Sequence, residues 1–371
     1  MNLIIAILLF ACNIMAKSMQ INKQQVVILG GGIHGASVAY HLSLKGIKSL
    51  IIEKIAIASA ASGKAGGFLA RGWGSGHTRQ LHEKSYDMHI DLAAKLGITS
   101  FRQISALQVN GRRAGSNVAS WLDRQVTSTL MDNNVAQVTP LELTEKLIRK
   151  SLEAGSELLI GDVTNVIVEN NKVTAVKLKT GETIETEKIV VCMGPWSGVY
   201  CEDWFGLEVP LTGIKSTSMV YKDVKALEKE PYACFCDEDN NGCHIEMYPR
   251  IGGELYLCGL GGSDYVTGDR LRAGGDCESS DLIHADPKRV ATASRSMKSM
   301  SSLGDLTPDV TQVYYIPIST IMQYYCMYSN VHVFCLFVGM YASLYRRCVT
   351  CDGTDAWSRR GILELWPQLL G

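Results

Sequence analysis

Three glycines near the start of the chain, Gly30, Gly32 and Gly35, have the G-x-G-x-x-G spacing of a phosphate-binding loop. The first allows a tight turn, the second lets a phosphate approach the backbone, and the third lets a helix pack closely on a strand. Ile33 and His34 lie where that helix would begin, and the free N–H groups of a helix start attract an anion. We therefore predict that this loop binds the pyrophosphate of a dinucleotide, with His34 as a loop residue rather than a catalyst.

An acidic residue, Glu53, ends the next apolar run roughly 20 residues beyond the glycines, and Lys54 follows it. A carboxylate in this place accepts hydrogen bonds from both hydroxyls of an adenosine ribose, and it disfavours the 2′-phosphate of NADP. The first loop and Glu53 together predict a dinucleotide site, but they do not separate NAD from FAD.

A second loop of small residues, ASGKAGGFL, covers residues 61–69. A ligand that continues past the pyrophosphate toward a flavin ring would need such a loop, because the backbone must again come close to the ligand. Ser62 can hydrogen-bond a phosphate, while Lys64 is either a charge for the site or a solvated lysine. Three glycines leave room for the ribityl chain and the ring: Gly63, Gly66 and Gly67. The second loop favours FAD, since an NAD-dependent dehydrogenase explains only the first loop.

A β-α-β unit is required to position these residues. Residues 26–29 and 49–52 are short apolar runs typical of buried strands, and residues 36–45 have helical spacing. This order predicts the right-handed crossover unit of a parallel sheet. Residues 86–96 also have helical spacing, and a further helix begins at Thr139 with a Thr-Pro start.

The rest of the chain, as far as residue 317, is rich in predicted strands. Between residues 163 and 194 short strands alternate with turns at 170–171 and 180–181, which predicts an antiparallel meander followed by a buried strand, KIVVCMG. Residues 209–262 are strand-rich as well, and ADPKRV begins a helix. We therefore expect an α/β protein with more than one module.

Several of these stretches resemble a known family. VVILGGGIHGASVAYHL, ASGKAGGFLARGW and IVVCMGPWSG are similar to the FAD-dependent oxidoreductases of the D-amino-acid oxidase superfamily, to which glycine oxidase and sarcosine oxidase belong. SGKAGGFL and HIEMYPRIGGELYLCG are most similar to a largely uncharacterised eukaryotic subgroup. The resemblance extends over about residues 25–317.

The resemblance implies a Rossmann-like FAD-binding domain, with a parallel sheet and an antiparallel meander, and a mostly antiparallel α+β substrate domain. The implied FAD-binding domain is discontinuous and comprises residues 24–100, 139–202 and 308–319. The implied substrate domain comprises residues 101–138 and 203–307. Two terminal segments are set apart: a leader or signal-like segment, 1–19, and an atypical C-terminal segment, 320–371.

The resemblance also implies roles for the motif residues. Val163 would meet the adenine through its backbone, and a turn containing Gly194 and Trp196 would lie near the cofactor, with a packing role as the alternative for Trp196. The remaining implied FAD-binding residues are those of the two loops and the acidic strand end: Gly30, Gly32, Ile33, His34, Gly35, Glu53, Lys54, Ser62, Gly63, Gly66 and Gly67.

The implied reaction is oxidation of a small-molecule amine or amino acid, with hydride transfer to the flavin and electron transfer to oxygen or another acceptor. A carboxylate substrate would need a cationic side chain, and Arg250 and Lys215 are candidates, each with a surface charge as its alternative. His244 and Tyr248 are further candidates, since alternate residues of one strand would share a side with Glu246.

Composition excludes some partners. The formal net charge of -1 provides no basic surface for nucleic acid. Twelve cysteines without a zinc-type pattern are expected to be mostly free thiols. The alternative for one pair, Cys348-x-x-Cys351, is a redox role.

The two ends of the chain leave alternatives open. Residues 3–15 form an apolar run of signal-peptide length, so the expected cytoplasmic location has an endomembrane or secretory alternative. No Asp, Glu, Lys or Arg occurs between Asp309 and Arg346. There the family's glycine-rich loop is not found, which indicates either an artefact of the gene model or a membrane anchor. This departure favours, as the alternative function, a non-catalytic flavoprotein with a scaffold or regulatory role.

Overall fold

The computed structural model describes residues 26–74, 79–110, 117–209, 211–319, 323–328 and 331–336. The helices in these ranges are α1 Ile33–Ser43, α2 Ala61–Lys64, α3 Arg79–Leu96, α4 Pro140–Glu153, α5 Trp196–Phe205, α6 Ala226–Lys229, α7 Gly268–Leu271 and α8 Pro287–Met300. The first strands are β1 Val27–Leu29, β2 Leu50–Glu53, β3 Phe68–Ala70, β4 Arg102–Asn110, β5 Thr127–Gln137, β6 Glu157–Ile160, β7 Val163–Glu169, β8 Lys172–Leu178 and β9 Thr183–Glu185. They are followed by β10 Ile189–Val191, β11 Leu211–Tyr221, β12 Tyr232–Cys236, β13 Glu246–Arg250, β14 Glu254–Cys258, β15 Asp264–Val266, β16 Val310–Ser319, β17 Gln323–Tyr328 and β18 Val331–Leu336.

A six-stranded sheet carries the first glycine loop. Its order is β17-β18-β10-β1-β2-β6, and all neighbouring strands are parallel except the β17–β18 pair. The apolar runs predicted as strands form β1 and β2, and both are buried because helices and the meander cover the two faces. The parallel order brings the carboxyl ends of β1, β2 and β10 to one edge of the sheet.

Helices α1 and α4 cover one face of this sheet. Ala36 and Ala39 of α1 share a buried cluster with Leu143 and Leu147 of α4, as the 3.6-residue spacing of their apolar positions requires. Small residues on α1 let it lie close to β1. The other face is covered by the meander β7-β8-β9, in which Asn170 adopts the left-handed conformation of a tight turn (φ 50°).

A nine-stranded mixed sheet forms the second layer, with order β15-β11-β14-β13-β12-β4-β5-β3 and β16 paired to β11. One face packs against α8 through Ala293 and Met297. The opposite face carries Tyr248 and Tyr256 and packs against Phe68, next to the second glycine loop. The architecture confirms the predicted fold class: an α/β unit with a parallel sheet and a large, mostly antiparallel sheet.

Two features differ from the predicted division of the chain. Residues 308–319 are predicted in the FAD-binding domain, whereas β16 pairs with β11 of the large sheet in unbroken register. Within the segment set apart from residue 320, strands β17 and β18 join the parallel sheet, because Val331 pairs with Ile189. The proposed leader, the Cys348–Cys351 pair and the site expected for the glycine-rich loop lie outside the described residues.

Two observations concern membranes and cysteines. Within the described ranges, no helix combines the length and apolar character that crossing a bilayer requires. Seven cysteines of the described ranges are buried thiols: Cys192, Cys201, Cys234, Cys236, Cys243, Cys258 and Cys277.

Candidate active site

The first glycine loop connects β1 to α1 with little room for side chains. Gly30 has φ +108°, and a Cβ there would lie 2.4 Å from the Cys192 carbonyl oxygen at the end of β10. A Cβ on Gly35 would lie 1.9 Å from the Gly30 carbonyl oxygen. The turn and the close approach of α1 to β1 therefore both require glycine, as the spacing predicts.

The start of α1 is capped from a distant part of the chain. Gly32, at the N-cap, has no side chain to accept from the helix, and Ser62 takes this role: the Ile33 N–H donates to Ser62 Oγ at 2.9 Å. A hydroxyl that accepts in this way keeps its own hydrogen, which it can donate to a phosphate. Ser62 thus joins the second loop to the point where the helix start favours an anion.

Glu53 is turned toward the first loop. Its Oε2 accepts from the Gly31 N–H at 2.7 Å and its Oε1 from the Ile55 N–H at 3.0 Å. Each carboxylate oxygen has a further lone pair, so two ribose hydroxyls can still be bound. Lys54 does not join this arrangement, because its Nζ pairs with Asp162 Oδ2 at 3.3 Å.

The glycines of the second loop serve packing. A Cβ on Gly63 would lie 2.2 Å from the Ala58 carbonyl oxygen, and one on Gly66 would lie 2.4 Å from the Tyr248 ring. Gly67 has φ +82°, and its Cβ would meet the Val138 carbonyl oxygen at 1.8 Å. Small residues are therefore needed here because the loop is held tightly between its neighbours.

A cleft runs along the edge of the parallel sheet, past the two loops and α5. It offers about 1080 Å³ of space, part of which is open to solvent. The predicted residues that line it are Gly30, Gly32, Ile33, His34, Glu53, Lys54, Ser62, Val163, Gly194 and Trp196. The predicted Gly35, Gly63, Gly66 and Gly67 are not among its lining residues. Residues that the sequence analysis missed are Ser59, Asp162, Tyr200, Glu278, Ser279 and Ser280.

His34 and Trp196 both line this cleft. Burial lowers the pKa of His34 to about 4, so the imidazole is neutral at physiological pH, as suits a residue at a positive helix end. Trp196 begins α5, and its Nε1–H donates to the Cys277 carbonyl oxygen at 3.0 Å. Trp196 therefore has the packing role foreseen as its alternative, while its ring also lines the cleft.

Two candidates, Tyr248 and Arg250, lie with Glu246 on one face of β13, opposite the second loop. The Tyr248 hydroxyl donates to the Glu246 carboxylate, and its ring stacks on Phe68 with centroids 5.3 Å apart. Arg250 is buried, and its Nη2 donates to the Ala65 carbonyl oxygen at 2.8 Å. Its guanidinium also pairs with a neighbouring carboxylate and lies over an aromatic ring, so protein groups hold Arg250.

The other two candidates are elsewhere. His244 lies two residues before β13, its side chain is exposed, and its N–H donates to the Gly259 carbonyl oxygen at 2.8 Å. Lys215 lies five residues from Val220, which pairs with Tyr256, so alternation places Lys215 on the opposite face of the sheet. Its Nζ pairs with Asp264 at 3.3 Å.

Comparison with known proteins agrees with this geometry. The model of the family "DAO: FAD dependent oxidoreductase" matches residues 25–315. The chain belongs to this family. It is an FAD-dependent oxidoreductase by membership, which confirms the predicted family and cofactor.

The relatives include a protein of Schizosaccharomyces pombe (strain 972 / ATCC 24843) named "Putative oxidoreductase C1F5.03c", 30% identical over 275 residues, which are 64% of this chain and 70% of that protein. Glycine oxidase from Bacillus cereus ATCC 14579 has a TM-score of 0.70 at 20% identity, over 85% of this chain and 90% of its own. L-Amino acid deaminase from Proteus myxofaciens, in complex with anthranilate, has a TM-score of 0.66 at 16% identity, over 85% of this chain and 86% of its own. Likenesses at these identities show the shared fold.

The residues present fit FAD. The glycines at positions 30 and 32 keep the loop free of side chains where the helix start faces the cleft, and Glu53 offers its remaining lone pairs to the ribose. Ser62 would hold the pyrophosphate with its free hydroxyl hydrogen, and Val163, beginning β7 at the cleft, would contact the adenine through its backbone.

Proposed function

We propose that this oxidoreductase oxidises a small amine or amino acid. The observation that carries the proposal is the juxtaposition of a dinucleotide cleft with a buried sheet face. The second glycine loop contacts the start of α1 through Ser62 on one side, and Tyr248 and Arg250 on the other. FAD, when bound, accepts a hydride from a carbon that carries an amine. Two of the structural relatives are a glycine oxidase and an L-amino acid deaminase.

The residues of the sheet face suit a substrate of this class. Glu246 supplies a carboxylate that can accept from an ammonium group, and it already accepts from the Tyr248 hydroxyl and the Cys258 thiol. Burial raises the pKa of the Tyr248 hydroxyl, so this group stays protonated and acts as a donor. The face therefore places a carboxylate, with the Tyr248 hydroxyl donating to it, beside the second loop.

A specific observation supports a second candidate, a flavoprotein without oxidase activity. Arg250, the more buried of the two cationic candidates, donates to the Ala65 carbonyl oxygen. Lys215 lies on the opposite face and pairs with Asp264. A substrate carboxylate would have to displace Arg250 from its protein partners, which would weaken the binding of amino acids relative to amines.

The visible absorption spectrum of the purified chain tests the proposal. Under anaerobic conditions, we expect the flavin bands to bleach on addition of a pool of amino acids or a pool of simple amines. Dithionite serves as the control, because it reduces any accessible flavin without a substrate site. Bands that bleach with dithionite and with neither pool would contradict the proposal and support the second candidate.

A further inference from the structure

A segment of fifteen residues, 272–286, connects α7 to α8 without helix or strand of its own. We call it the cover segment. Loops of this length without regular structure are uncommon in compact domains and usually serve a function. Three of its residues, Glu278, Ser279 and Ser280, line the cofactor cleft, although no sequence motif marks them.

The cover segment is packed rather than loose. Cys277, Ser279 and Ser280 are each at most 7% exposed. The Cys277 N–H donates to the Arg270 carbonyl oxygen at 2.9 Å, and the Gly274 N–H donates to Glu278 Oε2 at 2.6 Å. The Glu278 carboxylate is thereby engaged by backbone within the segment. The Ser279 hydroxyl donates to the Asp281 carboxylate, so the segment is held by its own hydrogen bonds where it lines the cleft.

Two hydrogen bonds attach the cover segment to elements of the cofactor cleft. Trp196 Nε1–H donates to the Cys277 carbonyl oxygen at 3.0 Å. The hydroxyl oxygens of Ser59 and Ser280 are 3.0 Å apart, and Ser59 lies just before the second glycine loop. These bonds connect the cover segment to α5 and to the residues just before the second glycine loop. Both of these elements line the cleft.

A group of ion pairs adds a third attachment. Arg272, at the start of the cover segment, pairs with Glu202 at 2.6 Å and with Asp203 at 3.1 Å, and both carboxylates belong to α5. The side chains are partly exposed, so each pair contributes little by itself. Together with the Trp196 bond they fix the segment along α5.

We infer that the cover segment is part of the FAD site and limits FAD release: Ser279 and Ser280 form a wall of the cleft, and the bonds to Trp196, Ser59 and α5 keep it closed. The cofactor then leaves only when these attachments open. The inference rests on FAD binding and not on the proposed substrate, because neither the cleft nor the attachments involve the face of β13.

A reversible crosslink tests this directly. The variant is Ser59→Cys/Ser280→Cys. The hydroxyl oxygens of Ser59 and Ser280 are 3.0 Å apart, so two cysteines in their place can form a disulfide after a small movement of the side chains. We expect the FAD-loaded, diamide-oxidised variant to release FAD more slowly, by about tenfold or more, than the same sample treated with dithiothreitol, since release needs local opening. Release is followed by the rise of free-flavin fluorescence on dilution. The single variants, Ser59→Cys and Ser280→Cys, are the controls for oxidation elsewhere.

An ion-pair variant gives an independent measurement if the crosslinked chain does not fold. We expect Arg272→Met to speed FAD release by about fivefold, the factor that loss of partly exposed ion pairs allows. Arg295→Met is the matched control, because Arg295 is exposed on α8 and does not line the cleft. Equal release rates for the oxidised and reduced double variant, or for Arg272→Met and Arg295→Met, would overturn the inference.

Discussion

Ser62 has two functions in this reasoning: it caps the start of α1 and it donates a hydrogen bond to the FAD phosphate. The Ser62→Ala substitution removes both, and each loss can be measured separately. The Ser62 Oγ accepts from the Ile33 N–H at 2.9 Å, and its side chain, which has a hydrogen left to donate, lines the cofactor cleft. In Ser62→Ala, loss of the cap costs the helix start about 1 kcal/mol. Loss of a hydrogen bond to a charged phosphate costs a further ~2 kcal/mol of binding free energy, which corresponds to about 30-fold weaker FAD binding.

Each cost has its own assay. Hydrogen exchange of the peptide containing Ile33, measured in the FAD-free protein, reports the cap, and we expect exchange to become about fivefold faster. Titration of the FAD-free protein with FAD, followed by flavin fluorescence, reports the phosphate bond. Ser62→Thr should recover most of both effects, because threonine retains the hydroxyl.

A matched control lies at the other end of the same helix. The Ser43 hydroxyl donates to the Tyr40 carbonyl oxygen, far from the cleft, so Ser43→Ala should leave the FAD affinity unchanged. If Ser62→Ala speeds exchange at Ile33 and binds FAD as tightly as the parent, Ser62 is a cap alone. If neither quantity changes, the reasoning from this geometry is refuted.

Three further predictions concern packing, a buried charge and pH. Gly35→Ala should lower the unfolding free energy by about 3 kcal/mol, because the added Cβ would meet the Gly30 carbonyl oxygen. Thermal melts measure this loss. They should show no such loss for Gly72→Ala, because the space around Gly72 is open and its φ is ordinary. Arg250→Met should cost about 2 kcal/mol in the same melts by leaving the Ala65 carbonyl without its donor, and an unchanged melting temperature would count against that contact. Because the pKa of His34 is lowered from 6.5 to about 4, the unfolded chain takes up this proton first, and the stability of the FAD-free protein should fall as pH drops from 6.5 toward 4. His34→Asn should reduce this dependence, and denaturation curves at pH 7 and 4.5 that shift equally in both proteins would contradict the assignment.

Local patterns predicted the cofactor half of the site well. The order of strand, glycine loop, helix, strand and Glu53 appears in the structure because each part is fixed by a neighbour close in sequence. Strand bounds and turns of the meander were predictable for the same reason, as at Asn170. The mostly antiparallel sheet of the second layer was expected from the resemblance to the family.

The contacts that the sequence did not reveal join residues far apart. Arg250 reaches the Ala65 carbonyl across 185 positions, and no periodicity encodes that distance. The face occupied by Lys215 depends on the register of β11, which only the assembled sheet defines. The cover segment has neither apolar periodicity nor a motif, so its place over the cleft followed only from the fold.

The position of β10 has a consequence for synthesis. Val27 at the centre of the parallel sheet pairs with Ile189, a residue that the ribosome adds much later. At translation rates of about 5–20 residues per second, β1 waits roughly 10–30 s for this neighbour. During that time an apolar strand has an open edge toward the place of β10, and such edges attract other chains. The nascent chain of this protein should therefore depend on chaperones until residue 191 has emerged, and premature termination before it should yield an insoluble product.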